Sequence, residues 1–231
     1  MSISPRIVPM GLTGMLVNFS GRLSDAANRA ALAFRAAVDA QGWDWVSETT
    51  TSLTSTLVLF DPLAVTQSYV QGALGDLLAS RDWTQAPWPG DRRLWRVPAV
   101  FGGADGPQLT EAAALAGVSS DTAIADICAA PVRVLTLGFA PGQPYLGSLA
   151  PHWNVPRQAG LTPQVPAGAL VVAVRQFVLF ANPSPTGWRQ VGLTKLPLFD
   201  LGSDQPFALQ AGDELLFAPV SEHDFALLET D

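Results

Sequence analysis

An arginine and a glutamine, Arg175-Gln176, interrupt an otherwise apolar run from Ala169 to Phe180. A charge and an amide in that setting need partners, which a bound anion or amide would supply as well as a salt bridge to Asp200 or Asp105. A second constellation lies in Arg133 to Gly147. Val134 to Phe139 has the content of a buried strand, and Pro141, Gly142, Pro144 and Gly147 must then form a stiff, turn-rich loop. Such a loop can hold Phe139, Gln143 and Tyr145 in place for a ligand or a partner chain, although a purely structural turn has the same pattern. Tyr145 and Trp188 offer flat apolar faces, as rim aromatics or as ligand stacks. Gly102-Gly103-Ala104-Asp105-Gly106-Pro107 has the glycine content of a phosphate loop but neither the Walker lysine nor the Rossmann spacing.

Metal chemistry is not expected. His152 and His223 are far apart, with no cysteine or carboxylate at ligand spacing beside either. His152 follows Pro151 in a loop, facing either a pocket or water, while His223 sits in the acidic Glu222-His223-Asp224 segment and reads as a surface residue. Cys128 is the single cysteine, so no intrachain disulfide forms, which fits a reducing cytoplasm. With no basic cluster beside it, Cys128 reads as a structural thiol.

The balance of residue types narrows the function further. A net charge of -7 with a pI near 4.7 repels a polyanion, which excludes nucleic acid as a partner. Of 231 residues, 48% are hydrophobic and only 14% charged, with 19 prolines and 20 glycines, so a sizeable core built from short elements is expected. The Ile7 to Val17 run is broken by Pro9, Gly11 and Gly14 and reads as a first strand rather than a signal peptide, and no run is long enough to cross a bilayer.

The elements that must position these residues fall into two groups. A strand at Gly14 to Phe19, a helix from Ala26 to Ala40 between Ser24-Asp25 and Gly42, strands at Trp43 to Glu48 and Ser52 to Phe60, and a helix from Val65 to Ser80 make a small α/β layer. Arg81 to Arg93 loses all periodicity, which places a domain boundary near residue 85, giving domains 1–85 and 86–231. Trp83, Trp88 and Trp95 there read as a seam or a contact surface. Strands follow at Leu94 to Phe101, Val134 to Phe139, Ala169 to Phe180 as two strands bent at Arg175-Gln176, Val191 to Thr194, Leu198-Phe199 and Glu214 to Phe217. Helices span Leu109 to Ala116 and Ser119 or Ser120 to about Ala129. Tight turns are expected at Ser184 to Trp188 and, as a hairpin, at Gly212-Asp213. Many short strands joined by Pro/Gly turns predict a closed β-barrel carrying small helices, so the fold class is α+β.

Taken in order, Gly102-Gly103-x-Asp105-Gly106-Pro107-x-Leu109 and Leu137-Gly138-Phe139-Ala140-Pro141-Gly142-x-Pro144-Tyr145-Leu146-Gly147 open a series. Val165-Pro166-Ala167-Gly168, Gln176, Ser184-Pro185-x-Gly187-Trp188, Gly192-x-Thr194, Leu198-Phe199-Asp200 and Gly212-Asp213 complete it. This series resembles the family of B-type 5-oxoprolinase subunits, also called allophanate hydrolase subunit 1, which includes a sporulation-kinase inhibitor. The resemblance spans nearly the whole chain. It implies a small N-terminal α/β (ferredoxin-like) domain and a cyclophilin-like β-barrel. It also implies a cytoplasmic hetero-oligomer with a homologous larger subunit and a lactam-binding subunit, which together open 5-oxoproline to glutamate at the expense of ATP. The kinase-inhibitor branch implies a histidine kinase as another partner.

The sequence departs from that pattern at several polar positions. Ile127 stands for a histidine, Gln164 for an arginine, Val174-Arg175 for a Gly-Gly pair, Phe177-Val178 for a Thr-Gly pair and Leu193 for an arginine. Opening an unactivated amide needs groups that contact a carbonyl phosphate and move protons, and Ile127, Phe177 and Leu193 can do neither. Two roles follow. In one, the chain is a subunit of an ATP-dependent amidohydrolase that works only in complex, its pocket lined by Phe139, Tyr145, Arg175, Gln176 and Trp188, with Gly102, Gly103, Asp105 and Gly106 as a nucleotide-loop candidate. In the other it is a non-catalytic regulator of the same fold.

Overall fold

Glycine at left-handed φ sets the first departure from the expected elements. In the computed structural model, which describes residues 5–88 and 93–228, Gly11 (φ 65°) turns the chain so that Ile7 to Val17 forms two strands. These are β1 (Arg6–Met10) and β2 (Gly14–Asn18), paired antiparallel with Val8 opposite Leu16. Helix α1 (Asp25–Gln41) begins where Ser24 Oγ accepts from the Ala27 N–H at 3.2 Å and ends at left-handed Gly42. Strands β3 (Val46–Thr51) and β4 (Ser55–Phe60) follow, then α2 (Gln67–Ala79), capped by Thr66.

The four strands form one antiparallel sheet in the order β1-β2-β4-β3. Inward residues at period two, Met15 and Val17 on β2 and Val58 and Phe60 on β4, meet Ala27, Ala31, Phe34 and Val38 of α1 and Val70 and Leu74 of α2 in one core. Trp83 closes this core edge-on to Phe34, with ring centroids 5.0 Å apart. Ala86 is buried in it too, so the compact unit runs past residue 85, to Asp91.

The second unit starts at Arg92. It contains β5 (Leu94–Phe101), α3 (Leu109–Ala116), α4 (Ser120–Ala129), β6 (Val132–Leu137), β7 (Pro144–Gly147) and β8 (Thr162–Val165). It continues with β9 (Ala169–Ala173), β10 (Gln176–Leu179), β11 (Ser184–Thr186), β12 (Arg189–Thr194), β13 (Glu214–Pro219) and α5 (Glu222–Leu227). Seven strands close a barrel in the order β10-β7-β6-β13-β5-β12-β9, and β8 pairs with β11 as a separate ribbon.

Every barrel strand sends alternate residues into the main core, among them Val97, Val134, Leu146, Leu170, Phe177, Val191 and Phe217. Strand β9 is buried on both faces, because Leu170 and Val172 point into that core while Ala169, Val171 and Ala173 join a second cluster with Val165, Val178, Phe180 and Trp188. Burial on both faces explains why this stretch shows no polar alternation.

Three expected turns take other forms. Pro144 to Gly147 is strand β7, because proline can open a strand where its missing N–H costs no ladder bond. Ser184 to Thr186 is strand β11, held by pairing with β8 across a register shift. Gly212-Asp213 does not join a hairpin, since β13 runs parallel to β5 and antiparallel to β6. Asp213 is a buried carboxylate there. It accepts from Arg93 Nε at 3.1 Å, Arg93 Nη2 at 2.5 Å, Trp95 Nε1 at 3.3 Å and the Gln210 N–H at 3.0 Å.

Val174 and Arg175 form the two-residue turn between β9 and β10 with φ of 44° and 64°. Two left-handed residues in succession suit asparagine or glycine, whereas a β-branched side chain is strained there. Val174→Asn is therefore expected to stabilise the barrel by about 1 kcal/mol, because little apolar area is lost at a half-exposed site. A denaturant midpoint that falls, with the slope unchanged, would contradict this.

Candidate functional site

Backbone hydrogen bonds from Gln143 N–H to Ala140 O (3.1 Å) and from Gly138 N–H to Gln143 O (3.0 Å) tie the β6–β7 connection into a tight corner. The corner places Phe139 at φ 74°, an unusual conformation for an aromatic residue, and leaves its ring 74% exposed at the mouth of a cavity of about 310 Å³. Tyr145 on β7 and Val178, its partner on β10, form the floor with Phe180. Trp188 makes one wall and meets Tyr145 edge-on, with centroids 6.2 Å apart. The β8–β11 side contributes Leu161, Pro185, Thr186 and Gly187, and the loop before it Arg157 and Gln158. The cavity thus lies on the outer face of the barrel, over the smaller apolar cluster rather than inside the closed sheet.

Polar groups around the cavity divide into spent and free. Gln158 is spent: its Nε2 donates to Trp188 O at 2.9 Å and Thr162 Oγ1 at 3.2 Å, and its Oε1 accepts from Gln108 Nε2 at 2.7 Å. Gln108 Oε1 in turn accepts from the Gln190 N–H at 2.7 Å, and Gln190 Nε2 donates to Asp105 O at 2.8 Å. This chain of amides braces the Trp188 wall. The Gln143 side chain differs: it is 1% exposed, and its Oε1 is buried with no hydrogen-bond partner among the described residues. Arg157 lies over the Trp188 ring, 5.5 Å from its centroid, and forms no ion pair among the described residues. Arg189 beside it is held by Glu111 at 2.9 Å and by Pro156 O.

Of the residues singled out in the sequence, the fold brings Phe139, Tyr145 and Trp188 together at this cavity and leaves Arg175 and Gln176 outside it. Arg175 is exposed in its turn and donates from Nε to Leu149 O at 2.8 Å, so neither Asp200 nor Asp105 is its partner. Gln176 is 6% exposed, with Nε2 unpartnered, and shares the face of Val178 two residues further along β10. The Gly102 to Gly106 loop lies elsewhere. The Gly102 N–H donates to Val191 O and the Gly106 N–H to Gly102 O, and Glu222 Oε1 would lie 3.1 Å from a Cβ on Gly103. Two of the loop's amides are therefore spent within the fold, and a carboxylate stands beside Gly103. Sequence reasoning misses Arg157, Gln158 and Leu161, because loop residues carry no periodicity and only tertiary contacts bring them to Trp188.

A second cavity of about 240 Å³ is lined by Ile127, Leu149, Trp153 and Phe177, with Asp126, Ser148 and His152 at its edge. His152 Nε2 lies 2.9 Å from Asp126 Oδ2, so the loop histidine has a carboxylate partner. Ile127 and Phe177, two of the positions where polar groups were expected, form its apolar lining. Burial pushes the Cys128 thiol up to about 11, so it carries no thiolate at neutral pH. No group of three or more His, Cys, Asp or Glu able to hold a metal ion occurs among the described residues, and no single described helix is long and apolar enough to cross a membrane.

A small α/β unit followed by a seven-stranded barrel with an aromatic outer cavity is the architecture of a carboxyltransferase-type domain. Residues 5–209 match the model of the carboxyltransferase domain, subdomain C and D, and the chain belongs to that family. It is similar to the protein of Bacillus subtilis (strain 168) named as the B-type subunit of 5-oxoprolinase, with 28% identity over 232 residues covering 97% of each chain. The protein of the same name from Escherichia coli O157:H7 is 38% identical over 132 residues, 57% of this chain and 61% of that one. Among solved structures, TTHA0988 superposes with a TM-score of 0.76 at 27% identity over 91% of this chain, which spans only 40% of that longer chain.

Proposed function

We propose that this chain is the B-type member of a cytoplasmic 5-oxoprolinase complex, acting with a homologous larger subunit and a lactam-binding subunit to open 5-oxoproline to glutamate with ATP. The observation that carries this reading is the match along 97% of both chains to a relative named as the B-type subunit of 5-oxoprolinase. The cavity formed by the Gly138 to Gly147 corner supports it. In this reading the chain contributes an apolar, rigid pocket that orients an amide and excludes water, while ATP is held in the complex.

Co-expression with the larger and lactam-binding subunits is expected to give a stable complex that releases glutamate from 5-oxoproline only when ATP is present. Tyr145→Ala, which removes the cavity floor, is expected to lower that rate about tenfold or more. A stable complex with no ATP-dependent glutamate release would reject the enzymatic reading. The apolar lining of the second cavity by Ile127 and Phe177 favours the alternative, a non-catalytic subunit that regulates a histidine kinase or a sister chain, and that result would leave it standing.

A further inference from the structure

Arg175, which stands outside the outer cavity, fixes a wall of the second one. Its N–H donates to Trp153 O at 3.1 Å and its Nε to Leu149 O at 2.8 Å, while the Leu149 N–H donates back to Arg175 O at 2.9 Å. These bonds hold the chain on both sides of His152, facing the end of α4 that carries Asp126 and Ile127. The cavity of about 240 Å³ between them exceeds the roughly 150 Å³ that admits a benzene ring in a protein interior. Its walls are apolar, and two of them are the Trp153 and Phe177 rings, tilted by 58° with centroids 6.3 Å apart. The polar side chains, Asp126, Ser148 and His152, can all accept a hydrogen bond. His152 Nε2–H donates to Asp126 Oδ2 at 2.9 Å, which leaves Nδ1 of the neutral ring as an acceptor. No hydrogen bond among the described residues engages that Nδ1, Asp126 Oδ1 or the Ser148 hydroxyl. Both side chains of the pair are open to a ligand, His152 being 39% and Asp126 36% exposed, and neither lysine nor arginine lines the cavity.

We propose that this second cavity binds a small primary amine with an apolar, ring-sized body, of the arylalkylamine class. An ammonium carries three N–H donors and no acceptor, which complements an edge of unengaged acceptors. Asp126 supplies its counter-charge at a part-exposed position, where a charge-assisted hydrogen bond forms without burying either ion. The ring lies against Trp153 and Phe177, which gain apolar contact and edge-to-face packing. An acid of the same size is selected against, because its carboxylate would meet Asp126 with no cation in the lining to offset it, in a chain whose net charge is already -7. The site is separate from the outer cavity and does not depend on the 5-oxoprolinase reading.

The test titrates the full chain with phenethylamine, 2-phenylethanol and 3-phenylpropanoate, which share a ring and differ in the head group, and follows the Trp153 and Trp188 indole resonances. Phenethylamine is expected to shift the Trp153 resonance with a Kd on the order of 1 mM and to leave that of Trp188 in place. The alcohol is expected to bind at least fivefold more weakly and the acid to give no shift at about 20 mM. Asp126→Asn, a change at a part-exposed site that leaves the melting temperature within about 2 °C, is expected to weaken phenethylamine about tenfold and 2-phenylethanol less than twofold. Equal affinity for amine and alcohol, binding of the acid as tight as the amine, full affinity in folded Asp126→Asn, or a shift of Trp188 in place of Trp153 would each overturn the assignment. No shift with about 20 mM phenethylamine would do the same. None of these measurements reads turnover, so the outcome stands whether or not the complex releases glutamate.

Discussion

Gly142→Ala is expected to destabilise the barrel unit by about 3 kcal/mol and to abolish the outer cavity. Gly142 has φ 73°, and a Cβ there would stand 2.4 Å from Leu198 O, 2.9 Å from Leu198 C and 3.0 Å from Phe199 Cβ. Two costs therefore add. A left-handed backbone costs a non-glycine residue about 1–2 kcal/mol, and the new methyl meets a main-chain carbonyl that cannot rotate away. The corner would have to shift, taking Phe139 and Gln143 with it, because Gln143 N–H is bonded to Ala140 O within the same turn. Hydrogen exchange at the barrel amides reads the stability, and the Trp188 resonance reads the cavity. Protection equal to that of the unmodified chain would show that the corner is softer than its contacts imply.

Asp213→Ala should cost a comparable amount, about 2–3 kcal/mol, because the buried carboxylate's hydrogen bonds are lost while the Arg93 guanidinium left behind, 40% exposed, keeps part of its hydration. The Asp213 side chain has no solvent exposure and collects four donors from Arg93, Trp95 and Gln210, so its loss leaves an indole N–H and a main-chain N–H unsatisfied and a guanidinium without its counter-charge. The position matters for closure. Val134 N–H donates to Asp213 O at 2.8 Å and the Gly212 N–H to Val134 O at 2.8 Å, so this corner ties β6 to β13, and β13 pairs with β5. Asp213→Asn preserves shape but presents an NH2 to the guanidinium, and it is expected to recover less than half of the loss. Full recovery by asparagine would mean that shape, rather than charge, holds the corner.

Local chemistry made much of this architecture readable in advance. Ser24 and Gly42 bracket α1 because an N-cap hydroxyl and a left-handed glycine act within one turn of the chain, and the apolar positions of α1 face one side by their own periodicity. The barrel was foreseeable for a related reason: short strands with proline and glycine between them leave few other ways to satisfy their edges. The hairpin at Gly11 and the strands β7 and β11 were not legible, because a strand of three or four residues is stabilised by its neighbours' hydrogen bonds rather than by its own propensity.

The site divides the same way. Phe139, Gln143 and Tyr145 stand close together in the chain, so the stiffness of the proline-glycine corner was enough to mark them as a group. Arg175-Gln176 stands out as a polar pair in an apolar run, yet that signal reports a turn between β9 and β10 and does not say which face the side chains take. Residue order sets which backbone angles and which periodicity each segment prefers, since those energies act over a few residues. Which distant groups meet depends on closure of the barrel. Only that closure brings Arg157 to Trp188, Gln108 to Gln158 and Arg93 to Asp213, and leaves Gln143 Oε1 without a hydrogen-bond partner among the described residues.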